Sequence, residues 1–217
     1  MSESCIFANV HVPLNASVSG SPKGLPILVF IHGGAFQAGS GNADIHGPEY
    51  LVSKGVIVIT FNYRLNVFGY LSLNSSKIPG NNGLRDAITL LKWVQRNARA
   101  FGGDPDNVTL GGQSCGATAA HLVSLSDASK GLIKRLILMS GLANGGFYTT
   151  SPAYAASAAQ MFLGYVGINS TDVDDIHDQL VQMPLEKIME ANRIVQTKSG
   201  TVSFALPICT FWSHADP

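Results

Sequence analysis

The sequence contains little charge, few cysteines and no long apolar run. Only 13% of its 217 residues are charged, and fourteen Lys and Arg balance fourteen Asp and Glu. Without net charge, no electrostatic field attracts a phosphate backbone or an anionic lipid surface. The longest apolar stretches, Leu25–Ile31 and 56–61, are far shorter than the roughly 20 residues that span a bilayer. The composition predicts neither a nucleic-acid partner nor membrane insertion.

Cysteine usage and the first residues say little about the compartment. The three cysteines cannot all pair with one another, and their wide spacing matches neither a metal site nor a redox pair, so we expect free buried thiols at Cys5, Cys115 and Cys209. The first residues lack the basic and apolar segments of a secretory signal, so the protein is either cytosolic or missing its beginning. Four Asn-X-Ser/Thr sites favour secretion only weakly: Asn15, Asn74, Asn107 and Asn169.

Strand and helix patterns alternate over the first two thirds of the chain, which predicts an α/β fold with a mostly parallel sheet flanked by helices. The predicted strands are 7–12, 26–32, 56–63, 108–111 and 135–139. The predicted helices are 84–101, 117–125, 154–163, 173–182 with Thr171 as its N-cap, and 185–196. No linker marks a second domain, so residues 1–217 are predicted to be one domain, or part of one.

Residues 112–116 read Gly-Gln-Ser-Cys-Gly, directly between a predicted strand and a predicted helix. This is the context of a G-x-S-x-G nucleophile elbow, in which glycines flank a tight turn that presents the serine hydroxyl. The alternative is a Gly/Ser turn without chemistry. The motif predicts Ser114 as a catalytic nucleophile.

A second glycine-rich motif, residues 32–36, follows the strand at 26–32. Loops of this kind supply backbone N–H groups to the oxyanion of acyl transfer, together with the N–H of the residue after the nucleophile. We therefore expect an oxyanion hole formed by Gly34, Ala35 and Cys115. No metal or cofactor is needed for this chemistry.

No histidine of this sequence is a convincing general base for Ser114. In proteins with such an elbow, the serine works with a histidine and an acidic residue as a catalytic triad. Both of these residues follow the serine in the chain. His121 is too close to Ser114 on the outgoing helix, and His177 lies on a solvated acidic face. The remaining candidates precede the serine or lie at the terminus: His32, His46 and His214. We expect the acid and the histidine of the triad to lie outside this sequence.

Several blocks resemble the type B carboxylesterases, the family that includes the cholinesterases. Residues 3–10 resemble that family's EDCLYLNV signature, and further blocks match at 61–64, 80–86 and 101–105. Gln113 and the segments 138–152, 183–184 and 190–193 are most similar to insect juvenile hormone esterases. Cys115 stands where Ala is usual, and Ala35 replaces the third glycine of the oxyanion loop.

The resemblance implies an α/β-hydrolase fold, of which this chain is a fragment, and a serine carboxylester hydrolase acting on a small lipophilic ester. It also implies that the acidic residue, usually Glu, and the histidine lie beyond Pro217, and that the upstream partner of Cys5 is missing. Two alternatives stay open. One is a broad carboxylesterase for xenobiotic or odorant esters; the other is a non-catalytic binding protein of the same fold or an inactive fragment.

Overall fold

A computed structural model describes residues 4–14, 23–145 and 149–198. Its strands are β1 (Ala8–His11), β2 (Leu25–Ile31), β3 (Ile57–Phe61), β4 (Gly103–Gln113) and β5 (Arg135–Met139). Its α-helices are α1 (Glu49–Val52), α2 (Asn66–Tyr70), α3 (Asn82–Asn97), α4 (Cys115–Leu125), α5 (Pro152–Val166), α6 (Val173–Gln182) and α7 (Leu185–Lys198). Every predicted strand and helix that lies in the described residues is present, which confirms the α/β prediction.

Chain contacts divide the described residues into two compact units. The first comprises the residues up to Tyr63 together with Leu84–Gly145, and the second comprises Arg64–Gly83 with the residues after Gly145. The sequence shows no linker at these boundaries, because the chain passes between the units inside loops and at the start of α3.

The first unit contains a five-stranded sheet in the order β1-β3-β2-β4-β5. The pairs β3-β2, β2-β4 and β4-β5 are parallel, and β1 is antiparallel to β3. All five residues of β3 are buried, as expected for a strand covered on both faces. The mostly parallel sheet is confirmed.

Helix α4 packs against β2, β4 and β5. Its buried residues are small and surround most of its circumference: Cys115, Gly116, Ala117, Thr118, Ala119, Ala120 and Val123. A helix that is apolar on nearly all sides is stable only when buried, and small side chains allow its backbone to approach the sheet closely. The start of α4 is therefore fixed against the sheet.

The second unit has its own apolar core. Phe162, Ala159 and Val195 are fully buried in it, with residues of α5, α6, α7 and the segment 67–78 around them. Gly167, in a left-handed conformation, ends α5, which is the usual role of glycine at a helix C-terminus. This core is built almost entirely from helices.

Several predicted details were wrong. The N-cap of α6 is Asp172, not Thr171, because the Asp172 carboxylate accepts hydrogen bonds from the N–H groups of Asp174 and Asp175. Strand β4 begins at Gly103 rather than 108, and the last turn of the helix predicted at 84–101 is a 3₁₀ helix. The short helices α1 and α2 were not predicted.

The prediction of free buried thiols was confirmed for Cys115 and wrong for Cys5. Cys115 is a free buried thiol, but Cys5 is free and exposed because it lies in an extended segment before β1. Cys209 lies outside the described residues. Of the glycosylation motifs, Asn74 and Asn169 are exposed, whereas Asn15 also lies outside the described residues.

Candidate active site

The ends of β2, β4 and β5 meet at one edge of the sheet. Ile31 at the end of β2 pairs with Gly112, and Gln113 at the end of β4 pairs with Met139. From β2 the chain continues to β3 on one side, while β4 lies on the other. Ligands of open α/β sheets bind at such a reversal of strand order, beyond the carboxyl ends of the strands. Both predicted motifs follow strands that end here.

Ser114 occupies a strained turn between β4 and α4. Its φ is 55° and its ψ is −129°, a backbone conformation that residues other than glycine rarely adopt. Its N–H donates to the carbonyl oxygen of Met139 at 2.8 Å, and its own carbonyl accepts from Ala117 N–H at 3.0 Å. Strain of this kind costs of order 1–3 kcal/mol and persists only where the surroundings impose it. The sheet and the helix together hold Ser114 in the turn.

The two flanking glycines are required by close backbone contacts. A Cβ at Gly112 would lie 2.3 Å from the carbonyl oxygen of Gly116, and a Cβ at Gly116 would lie 2.2 Å from that of Ile31. These are the collisions that the sequence motif led us to expect. Gly116 therefore allows α4 to rest directly on the end of β2.

Sequence reasoning missed the contribution of the residues after β5. A Cβ at Gly141 would lie 2.1 Å from the carbonyl oxygen of Ser114, and Ser140 has a positive φ of 57°. The turn after β5 thus packs against the back of the elbow. A Ser-Gly pair directly after an apolar strand was the available signal, but it also marks ordinary turns.

The glycine-rich loop after β2 lies beside Ser114. A Cβ at Gly33 would be 3.3 Å from the Cβ of Ser114. The next three residues have positive φ, with 113° at Gly34, 54° at Ala35 and 60° at Phe36. The family resemblance expects glycine at position 35. Ala35 has a positive φ there, although its Cβ disfavours that conformation.

Cys115 contributes its position at the first turn of α4. The first N–H groups of a helix have no acceptor within the helix and carry the positive end of its dipole. The N–H of Cys115 is therefore one of the donors at the start of α4, directly after the serine. The structure brings all four predicted site residues to one sheet edge.

His32 holds the base of this loop. Its ring is buried, its Nδ1 lies 2.7 Å from the carbonyl oxygen of Gly33, and it stacks on Tyr63 with ring centroids 4.5 Å apart. The Tyr63 hydroxyl donates to the carbonyl oxygen of His32 at 2.8 Å. Burial lowers the pKa of His32, so its ring is neutral at pH 7 and Nδ1 donates to Gly33. Sequence reasoning missed this role of Tyr63, although it noted the block that contains it.

The other described histidines have contacts of their own. His121 Nδ1 accepts a hydrogen bond from the N–H of Ala143 at 3.1 Å, and His46 lies against the ring of Phe30. His177 is in the second unit, with Nδ1 3.1 Å from a carboxylate oxygen of Asp178. His214 lies outside the described residues.

Among residues 4–14, 23–145 and 149–198, no group of three or more His, Cys, Asp and Glu side chains is arranged to bind a metal ion. Within the same part of the chain, no helix has the length and apolar character needed to cross a bilayer.

Comparisons with known proteins show the family to which the chain belongs. The sequence model of the carboxylesterase family matches residues 1–210. A juvenile hormone esterase of Heliothis virescens is 59% identical over 210 residues, which are 96% of this chain and 37% of that protein. A para-nitrobenzyl esterase of Bacillus subtilis is 41% identical over 179 residues, or 81% of this chain and 35% of that protein.

A solved structure is also similar over the whole chain. It is a juvenile hormone esterase from Manduca sexta with OTFP covalently attached, and it matches with a TM-score of 0.91 and 56% identity. The match covers 100% of this chain and 40% of that one. The chain thus spans well under half the length of these relatives. The resemblance inferred from the sequence blocks is confirmed.

Proposed function

This chain belongs to the carboxylesterase family, and from that membership and its site we propose that the protein containing it is a serine carboxylester hydrolase of the juvenile hormone esterase type. The observation that carries the proposal is the strained Ser114, held between β4 and α4 beside the loop of Gly34 and Ala35. An ordinary Gly/Ser turn with no catalytic role would require neither a strained serine nor a glycine-rich loop beside it.

The reaction proceeds through an acyl-enzyme. The Ser114 oxygen attacks the ester carbonyl carbon while a histidine removes the hydroxyl proton. The carbonyl oxygen becomes an oxyanion that the N–H groups of Gly34, Ala35 and Cys115 stabilise. The C–O bond to the alcohol then breaks and the alcohol takes the proton from the histidine. Water, activated by the same histidine, attacks the acyl carbon and releases the acid and Ser114.

The histidine and its acidic partner belong to the part of the protein outside these 217 residues. Supporting this, the chain covers only 37% of the Heliothis virescens relative, and His32 and His121 have ring nitrogens engaged by Gly33 and Ala143. The 217 residues then form part of one α/β-hydrolase domain. Alone, they bind no ester productively and hydrolyse none.

The substrate is a small lipophilic carboxylic ester. Two relatives named juvenile hormone esterase, at 59% and 56% identity, favour a hormone-type ester. A second candidate is a broad carboxylesterase, favoured by the 41% identity to a para-nitrobenzyl esterase. Relative kcat/KM for a juvenile hormone and for short p-nitrophenyl esters separates the two. A strong preference for the short esters excludes the hormone-type activity.

The test of the nucleophile is labelling with a fluorophosphonate, read by intact mass and peptide mapping. The whole protein should gain one label at Ser114, and Ser114→Ala should lose both the label and ester hydrolysis. Ser124→Ala is the matched control, because Ser124 lies on the same helix and its hydroxyl donates to the His121 carbonyl. Activity should survive EDTA, since the mechanism uses no metal. Ester hydrolysis at the parent rate by Ser114→Ala would refute the proposal and favour a non-catalytic role for this elbow.

A further inference from the structure

The side chain of Cys115 connects the nucleophile elbow to the far end of the oxyanion loop. Its Sγ accepts a hydrogen bond from the backbone N–H of Phe36, with Sγ and N 3.2 Å apart. Both residues are 0% exposed to solvent. The two residues are remote in sequence, so the contact exists only because β2 and β4 end side by side. An alanine at this position has no atom that accepts this hydrogen bond.

The start of the oxyanion loop, at His32, is held by Tyr63, which also contacts Cys115. The Tyr63 hydroxyl donates to the carbonyl oxygen of His32, and it also lies within hydrogen-bonding reach of the Cys115 thiol. Cys115 thus contacts the residue that fixes the start of the loop and the residue that ends it.

Between these two ends lie the predicted oxyanion donors. Gly34, Ala35 and Phe36 all have positive φ, and two of the three carry a Cβ that this conformation disfavours. Such a backbone is maintained only when its surroundings over-determine it. A hydrogen bond to the N–H of Phe36 fixes the peptide that follows Ala35, and therefore the direction of the neighbouring N–H groups.

The chemistry of the thiol fits a role as hydrogen-bonding partner rather than as nucleophile. Burial raises the pKa of Cys115, so the group is a neutral thiol at pH 7. A neutral thiol is a weak hydrogen-bond acceptor, so it can accept from the Phe36 N–H without introducing a charge near the serine.

We propose that Cys115 is a positioning residue, whose side chain holds the oxyanion loop at the geometry that stabilises the tetrahedral intermediate. The inference rests on the proposed function and deepens it. It assigns the side chain of Cys115 a task separate from that of its backbone N–H, which any residue would supply.

The test uses the whole protein and the variants Cys115→Ala, Cys115→Ser and Val123→Ala. Serine keeps a donor and acceptor on the same Cβ, whereas alanine removes both. Val123 is also a buried residue of α4, so its truncation reports the effect of a cavity in the same helix. For each variant we measure kcat and KM for p-nitrophenyl acetate and Ki for phenylboronic acid, which forms a tetrahedral adduct on an active serine. Rates are normalised to sites titrated by fluorophosphonate.

In Cys115→Ala we expect kcat to fall about tenfold and the boronate Ki to rise by the same factor, with KM within about twofold, because only tetrahedral species use the hole. Cys115→Ser should stay within about threefold of the parent in both quantities. Val123→Ala should lower the unfolding temperature while kcat and Ki stay at the parent values. Unchanged kcat and Ki in Cys115→Ala, or equal losses in Val123→Ala, would overturn the proposal.

Tyr63→Phe keeps the test decisive if Cys115→Ala does not fold. It removes the hydroxyl that joins His32 to the thiol, and it should reproduce the parallel change in kcat and Ki with little change in KM; parent values in this variant would count against the proposal. If the proposed esterase function itself is wrong, the result differs from a failure of the Cys115 proposal. In that case the parent protein itself neither hydrolyses the ester nor takes the label at Ser114.

Discussion

Gly116 lies so close to Ile31 that a Cβ on the glycine would be 2.2 Å from the isoleucine's carbonyl oxygen. The contact joins the first turn of α4 to the end of β2, and so joins the strand before the oxyanion loop to the helix after the nucleophile. This contact therefore helps to set the separation between Ser114 and the loop that carries the oxyanion donors.

Gly116→Ala should disrupt the elbow. Backbone atoms of β2 cannot move aside as a flexible side chain would, so we expect a loss of about 3 kcal/mol in the free energy of unfolding. Fluorophosphonate labelling of Ser114 should be lost as well. The control is Gly164→Ala in α5, where a Cβ meets nothing within 4 Å and should stabilise the helix by up to about 1 kcal/mol. Equal unfolding temperatures for the two variants would contradict this reading.

Stability should depend on pH through His32. Burial lowers its pKa below the ordinary 6.5, so the folded protein favours the neutral ring. The stabilisation is fully present above pH 6.5 and is lost as the pH falls through the lower, folded pKa. His32→Asn keeps a donor for Gly33 but does not titrate. The gap in unfolding temperature between parent and variant should therefore narrow from pH 8 to pH 5. His46, whose pKa is also lowered by burial, is present in both proteins. A constant gap would show that His32 does not titrate on unfolding.

The 217-residue chain alone should self-associate through β5. This strand ends the described sheet, and Leu136, Ile137 and Met139 are 38%, 46% and 42% exposed. An exposed apolar edge strand is a template for pairing with another chain. Ile137→Lys should reduce light scattering at matched concentration. Leu125→Lys adds the same charge at an exposed leucine outside the sheet and should have little effect. Equal reductions by both variants would indicate a general charge effect instead.

Asp172→Ala should loosen the start of α6. The Asp172 carboxylate accepts from two N–H groups, at 2.8 Å from Asp174 and 3.4 Å from Asp175. Losing such a cap costs about 1 kcal/mol, so hydrogen exchange in the first turn of α6 should be about fivefold faster. Thr171→Ala, which removes the cap that the sequence suggested, should leave exchange unchanged. Faster exchange in Thr171→Ala alone would return the cap to Thr171.

Much of the fold follows from local patterns. Apolar runs bounded by turn formers located every strand of the described residues, and apolar residues at three- and four-residue steps located most of the helices. Two details could not be predicted from local patterns: the cap of α6 and the presence of α2. Thr171 and Asp172 are both good caps, and only the geometry of the first turn of α6 selects Asp172. Helix α2 is five residues long, too short for a periodic pattern to be distinguished from a loop.

The sequence by itself determined that a nucleophile elbow and an oxyanion loop are predicted, because a serine flanked by Gly112 and Gly116 between strand and helix, with Gly33 and Gly34 after another strand, fits acyl transfer better than two ordinary turns. Only the tertiary structure decided which groups meet. The order β3-β2-β4-β5 places Ile31 beside Gly112 and Gln113 beside Met139. Strand order depends on packing between segments remote in the chain, and no local pattern encodes it. The contacts of Tyr63 with His32 and of Cys115 with Phe36 follow from that order.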